Sequence, residues 1–219
     1  MAKLYFRYGA MNSGKSTALL QAAFNYAERG QAVLLAKPAI DTKAVDEVSS
    51  RLGVSQAVDF LIGPDDDARE RFLAERDAYR RRAADALIES EAPRDIACLL
   101  VDEAQFLTPA QVDGLFRVAV EDDVPVMAYG IRTDFRTAAF PGSARLLEIA
   151  HSLEELKTMC RCGRKALFNG RLIGGRFVFD GDQVAIDAEG AAALDEHLVT
   201  YESLCGACYL RESGGVLAP

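Results

Sequence analysis

Apolar positions in this chain follow two periods, and the alternation between them sets out the first elements. Leu4-Tyr5-Phe6-Arg7-Tyr8, closed by Gly9, reads as a strand. From Lys15 to Arg29 the apolar residues Leu19, Leu20, Ala23, Phe24 and Ala27 recur at three- and four-residue steps, which predicts a helix ending at Gly30. Ala32 to Ala36 is a short apolar run closed by Lys37-Pro38 and reads as a buried strand. Strand, turn, helix, turn, strand is the βαβ unit of an α/β fold with a parallel sheet. Ile96 to Val101 and Val124 to Tyr129 are further buried strands. Pro109 to Val120 and Ser143 to Ala150 carry helical patterns, and a short strand is expected near Ala57-Leu61. Phe177-Val178-Phe179 and Val184-Ala185-Ile186 suggest a hairpin around Asp180-Gly181.

Charge changes the picture in one segment. Between Pro64 and Asp95 stand 10 acidic and 7 basic residues around a thin apolar stripe, which predicts one solvated helix. Its triplet Arg80-Arg81-Arg82 is flanked by acids and reads as part of a salt-linked face. Overall the chain has 219 residues and a formal net charge of −8. That balance argues against coating a polynucleotide, which asks for a basic face, but permits a small anionic ligand held by local donors. No apolar run is long enough to span a membrane, and the first residues lack a signal-peptide core, so a cytoplasmic protein without membrane partners is expected. After residue 150 the sequence turns to cysteines, glycines and short alternating runs. This predicts two units, 1–150 and 151–219.

Gly9-Ala10-Met11-Asn12-Ser13-Gly14-Lys15-Ser16 matches G-x-x-x-x-G-K-[ST] between a predicted strand and a predicted helix. The glycines let backbone N–H groups turn onto phosphates. Lys15 reaches the β- and γ-phosphates, and the Ser16 hydroxyl is a Mg²⁺ ligand. Asp102-Glu103-Ala104-Gln105 ends an apolar strand. If that strand neighbours the loop, Asp102 serves the metal and Glu103 points at the phosphoryl acceptor.

Cys160-Arg161-Cys162 and Cys205-Gly206-Ala207-Cys208 form two pairs with 42 residues between them. Four thiolates suit a closed structural Zn²⁺ site with no place for a reactive water; the alternative is four free thiols. Cys98, alone in an apolar run, reads as a core residue, and His151 and His197 as surface residues.

The loop with Met11 inside it, Val101-Asp102-Glu103-Ala104-Gln105-Phe106, Gly130-Ile131-Arg132-Thr133-Asp134-Phe135-Arg136-Thr137 followed by Phe140-Pro141-Gly142-Ser143, and the cysteine quartet stand here in one order. The chain from Lys3 to about Tyr209 resembles the thymidine kinase family of type II. Lys157 to Ala166, with its tight C-x-C pair, is similar to the bacterial branch. The resemblance implies an α/β fold in which a P-loop parallel sheet is flanked by helices and followed by a small zinc-anchored lid. It implies transfer of the γ-phosphoryl group of ATP to the 5′-hydroxyl of thymidine or deoxyuridine, with Glu103 as general base. Gly9 to Ser16 would hold the ATP phosphates, with Asp102 to Gln105 lining the same site. Met11, Phe106, Ile131 and Phe135 would wall the base pocket, and Tyr201 would contact the nucleoside. A homotetramer and feedback inhibition by dTTP are implied as well.

Two departures from the family pattern stand out. Val184-Ala185-Ile186 runs into an Ala-rich stretch rather than a Gly-Gly pair before Tyr201, so the lid carries an insertion over residues 187–200. Asn169 stands where a smaller or β-branched residue is common. Either Arg132 or Arg136 is a candidate to stabilise the transferring group. A helicase-like ATPase and a nucleotide sensor share the loop. The first, however, needs a second motor domain, and the roughly 70 residues beyond the boundary are too few for one.

Overall fold

A computed structural model describes residues 1–39, 47–85, 95–181 and 199–217. Among them, six strands form one parallel sheet: β1 (Leu4–Tyr8), β2 (Ala32–Pro38), β5 (Phe60–Ile62), β6 (Ile96–Val101), β7 (Val126–Gly130) and β8 (Ser152–Glu155). Their order is β5-β2-β6-β7-β1-β8, and every neighbouring pair is parallel. The sheet's last strand, β8, thus lies past residue 150.

The inner strands β2, β6 and β7 are covered on both faces, which is why their sequences are nearly continuous apolar runs. Alternate residues divide between two cores. Leu34, Ala36, Leu99 and Val101 face one layer with α2 (Ala68–Asp85), α3 (Pro109–Val120) and α4 (Pro141–Ile149). Leu35, Cys98, Leu100 and Tyr129 face the other, with Leu19, Leu20 and Ala23 of α1 (Lys15–Ala27) and Val48. Cys98 is fully buried, as expected, and burial pushes its thiol up to about 12.

The helix ends have local causes. At the end of α1, Gly30 takes a left-handed φ of 64°. α3 begins with a capping box: the Thr108 hydroxyl accepts from the Gln111 N–H, the Gln111 side chain accepts from the Thr108 N–H, and Pro109 fills the first turn. On α2, Arg76 and Arg80 both pair with Asp95, and Arg80 also pairs with Asp77. The basic triplet's first member therefore belongs to a salt-linked face, as predicted. The end of the charged stretch, residues 86–94, lies outside the described residues.

Around Ala57-Leu61, where one short strand is expected, the chain forms two. β4 (Ser55–Ala57) pairs antiparallel with β3 (Glu47–Ser49), while β5 joins the main sheet. β12 (Arg176–Val178) folds back on β11 (Phe168–Ile173) across Gly174-Gly175, both at positive φ, so the described turn lies before this strand. The expected partner at 184–186 lies outside the described residues, as do the insertion's residues up to 198 and His197. His151 is exposed; its Nδ1 accepts the Leu4 N–H at 3.0 Å.

The C-terminal part is built on a three-stranded antiparallel sheet, β12-β11-β13, with β13 at Val199–Leu204. A two-stranded ladder of β9 (Thr158–Met159) and β10 (Lys165–Ala166) and the short α5 (Gly206–Glu212) complete it. No helix among the described residues is long and apolar enough to cross a membrane.

Candidate active site

The loop Gly9–Ser16 joins β1 to α1. Its path depends on left-handed backbone at Asn12 (φ 64°) and Gly14 (φ 77°). Gly9 is required for space: a Cβ there would lie 2.4 Å from the Ser13 hydroxyl and 2.5 Å from the Leu156 carbonyl. Lys15 is drawn back over the loop, its Nζ donating to the Ala10 carbonyl at 3.0 Å. Burial lowers its pKa, and the charges of Glu103 and Asp102 oppose that shift.

Sequence reasoning made adjacency of β1 and β6 the condition for bringing Asp102 to the loop. The structure places β7 between them. The approach is made instead by α1, which crosses this end of the sheet on its way to β2, so that the Ser16 hydroxyl donates to Asp102 Oδ2 at 3.2 Å. β7 ends in Gly130, where a Cβ would stand 2.7 Å from Gln105 Oε1. The bare glycine lets the 3₁₀ turn Ala104–Phe106 fold over the strand end.

Asp102 is 3% exposed, and its Oδ1 has no hydrogen-bond partner. Burial first, and the neighbouring Glu103 second, push its carboxyl up to about 6. An orphaned buried carboxylate oxygen beside a hydroxyl fits a hard cation, which takes oxygen ligands. Glu103 adopts a left-handed backbone, φ 51°, uncommon for a residue with a side chain. Its carboxylate accepts from the Gln105 side-chain amide, and Gln105 Oε1 accepts from the Ile131 N–H at 3.2 Å. Glu103 is thereby tied to the segment after β7.

Met11, Asn12, Gly14, Lys15 and Ser16 of the loop, with Glu103, Gln105 and Ile131, open onto one cavity of about 980 Å³. Lys15, Ser16 and Glu103 line it together with Met11, Phe106, Ile131, Phe135 and Tyr201, the whole set expected to wall the nucleoside. Arg132 and Arg136 do not line it. Arg136 is turned to Asp134, 3.2 Å away, and Arg132 lines a separate small pocket beside Gly9. The other cationic side chains on the cavity wall are Lys37 and Arg51. Sequence reasoning missed Arg51, which lies on the β3–β4 hairpin in a stretch with no periodic signal. The hairpin is held to α1 by the Thr17 and Ser50 hydroxyls, 2.6 Å apart.

The C-terminal sheet closes one side. Asn169 on β11 is buried and uses both ends of its amide. Its Oδ1 accepts the Met11 N–H at 2.7 Å, and its Nδ2 donates to the Thr133 carbonyl at 3.0 Å. Ser203 on β13 donates its hydroxyl to the Met11 carbonyl, and Thr158 donates to the Asn12 carbonyl at 3.3 Å. Two residues along the strand from Asn169, the Arg171 guanidinium lies 3.9 Å from the centre of the Phe135 ring. The Tyr209 hydroxyl donates to the Phe135 carbonyl at 2.8 Å.

The sulfurs of Cys160, Cys162, Cys205 and Cys208 all lie within 4.8 Å of one another. A tetrahedron of thiolates about 2.3 Å from a zinc ion has edges of about 3.8 Å, so the cluster is near the size the ion needs. Gly163, at φ 83°, turns the chain after the first pair. The backbone N–H of Cys208 draws the Cys205 thiol down to about 6. Hydrogen bonding to Cys162 and its neighbours pushes Cys208 up to about 12. Four sulfur ligands at this spacing suit a divalent soft-to-borderline metal.

A strand–loop–helix turn of sequence G-x-x-x-x-G-K-S, with an acidic strand end hydrogen-bonded to its serine, is the arrangement of the P-loop class. The comparisons narrow the class. A family model for thymidine kinase matches residues 2–209. The chain is 47% identical to the thymidine kinase of Enterobacteria phage T4 over 191 residues, covering 86% of this chain and 91% of that one. It is 43% identical to the thymidine kinase of Chromobacterium violaceum over 211 residues, covering 95% and 98%. The chain belongs to the thymidine kinase family, and it is an enzyme that phosphorylates thymidine.

Proposed function

We propose that the enzyme transfers the γ-phosphoryl group of ATP to the 5′-hydroxyl of thymidine, and of deoxyuridine, with Glu103 as general base. The observation that carries this reading is the position of Glu103 on the wall of one cavity shared by the phosphate loop and the apolar chamber. Gly9 to Ser16 cradle the ATP phosphates, with Asp102, Glu103, Ala104 and Gln105 completing that end. Ser16 and Asp102 would hold Mg²⁺, which would neutralise charge on the transferring phosphate chain. Lys15 adds a fixed positive charge at the same place. Met11, Phe106, Ile131, Phe135 and Tyr201 enclose the pyrimidine. Glu103 takes the 5′-OH proton as the oxygen attacks phosphorus, and ADP leaves.

Thymidine analogues test the regiochemistry. 3′-Deoxythymidine keeps the 5′-hydroxyl and should be phosphorylated. 5′-Deoxythymidine lacks it and should act only as a competitive inhibitor. A phosphorylated product from 5′-deoxythymidine would overturn the assignment.

In this reading residues 1–150 form the nucleotide-binding unit and 151–219 a lid that zinc closes at its base, with β8 tying the lid to the sheet. Cys160, Cys162, Cys205 and Cys208 are the zinc ligands. The metal joins the ends of a long segment and so lowers the entropy cost of ordering it. Metal analysis should find one zinc per chain. Cys205→Ser should lose it, open the lid to protease and raise KM for thymidine about tenfold, because the lid must then be ordered at each binding event. Full activity with far less than one zinc per chain would contradict this. The proposal extends to a cytoplasmic homotetramer inhibited by dTTP, which lacks polynucleotide and membrane partners.

A further inference from the structure

Met11 is held by its backbone from outside the loop. Its N–H is taken by Asn169 and its carbonyl by Ser203. These two residues stand directly opposite each other on neighbouring strands of the lid sheet, so their side chains leave the same face together. Thr158, also in the lid segment, holds the next carbonyl, that of Asn12. No residue between Gly9 and Ser16 supplies these contacts. Asn169 is buried and its other amide end is bound to Thr133, on the segment that carries Phe135, so the amide has no freedom to turn away.

We propose that Asn169 and Ser203 are positioning residues for ATP. As a cross-strand pair they set the backbone of Met11, and through it the curvature that presents the N–H groups of Gly14, Lys15 and Ser16 to the phosphates. This rests on the reading of Gly9–Ser16 as the ATP loop. The first N–H groups of α1 have no partner inside the helix, so their usefulness to a phosphate depends on where the loop aims them. Two hydrogen bonds on the peptides either side of one residue fix that aim better than either alone. Because the same strands carry Tyr201 and border Thr133, ordering of the lid around a nucleoside also orders the ATP loop. The two substrates are then coupled, each tightening the other's binding by the same factor.

Ser203→Ala is the cleanest probe, because Ser203 is absent from the cavity wall and its removal deletes one hydroxyl. It should raise KM for ATP about tenfold, the scale of an unmet buried hydrogen bond. Zinc content should stay at one per chain, and thymidine affinity measured without ATP should not change. Asn169→Ala should raise KM for ATP similarly, and the double variant by less than the product of the two, since both act on Met11. Should Asn169→Ala fail to fold, Ser203→Ala carries the test alone. Lys15→Ala serves as the control. If Lys15→Ala abolishes turnover while Ser203→Ala keeps KM for ATP within about twofold of wild type, the loop reading stands and the clamp is overturned. If Lys15→Ala turns over normally, the loop reading falls and takes the clamp with it. A rise confined to KM for thymidine would assign the pair to the nucleoside pocket and overturn the proposal. So would a uniform loss of activity that tracks a fall in Tm.

Discussion

Glu103→Gln should lower kcat by about 10²–10⁴ while ATP and thymidine bind as in the wild type. The substitution changes the chemistry at one atom and leaves the geometry. Glutamine keeps the length of glutamate, and its carbonyl oxygen can still accept from the Gln105 amide. Gln105 in turn stays fixed by the Ile131 N–H. The left-handed backbone at position 103 is set by the chain between Asp102 and the 3₁₀ turn, and glutamine meets it at a cost similar to that of glutamate. What glutamine cannot do is take a proton from the 5′-hydroxyl. A loss in kcat alone, with unchanged KM values, is therefore the mark of a group used only in the transition state. A folded Glu103→Gln enzyme with unchanged kcat would remove Glu103 from the mechanism.

Lys15→Ala should lower kcat by about 10²–10³ and leave thymidine affinity nearly as it was. The ammonium is largely enclosed and is placed by the Ala10 carbonyl at 3.0 Å. A charge in a partly desolvated site acts more strongly on growing phosphoryl charge than one in water, and its placement costs nothing at the moment of transfer. In the proposed reading the pyrimidine is walled by other residues, so ground-state binding of thymidine should not depend on this charge. Neither arginine named from sequence can take over: Arg136 is committed to Asp134 and Arg132 faces another pocket. Near-normal turnover in Lys15→Ala would mean that the ATP phosphates bind elsewhere.

The elements legible in the sequence were those whose cause is local. β1, β6 and α3 begin and end where the pattern places them, because a doubly covered strand is a continuous apolar run and the α3 start carries its own cap at Thr108-Pro109. The phosphate loop is legible for the same reason, since every residue type in it answers a need within eight positions. Long-range partners left no such trace. Asn169 and Ser203 act on a backbone 158 and 192 residues away, and a peptide N–H or carbonyl has no residue type to signal it. The position of β7 between β1 and β6 follows from packing the whole sheet. The β3–β4 hairpin was hidden because its exposed face is polar and its strands are three residues long. The choice between Arg132 and Arg136 could not be made from spacing because both stand on one loop, and neither side chain reaches the cavity.

On the proposed function one cavity brings ATP and a nucleoside hydroxyl together for direct transfer. ADP release by the purified protein in Mg²⁺ and ATP is to be measured with thymidine, without it, and with single-stranded DNA in its place. ADP and dTMP should appear in equal amounts with thymidine, and almost no ADP otherwise. ADP release that proceeds equally well without thymidine, or that answers to DNA, would contradict the proposed function.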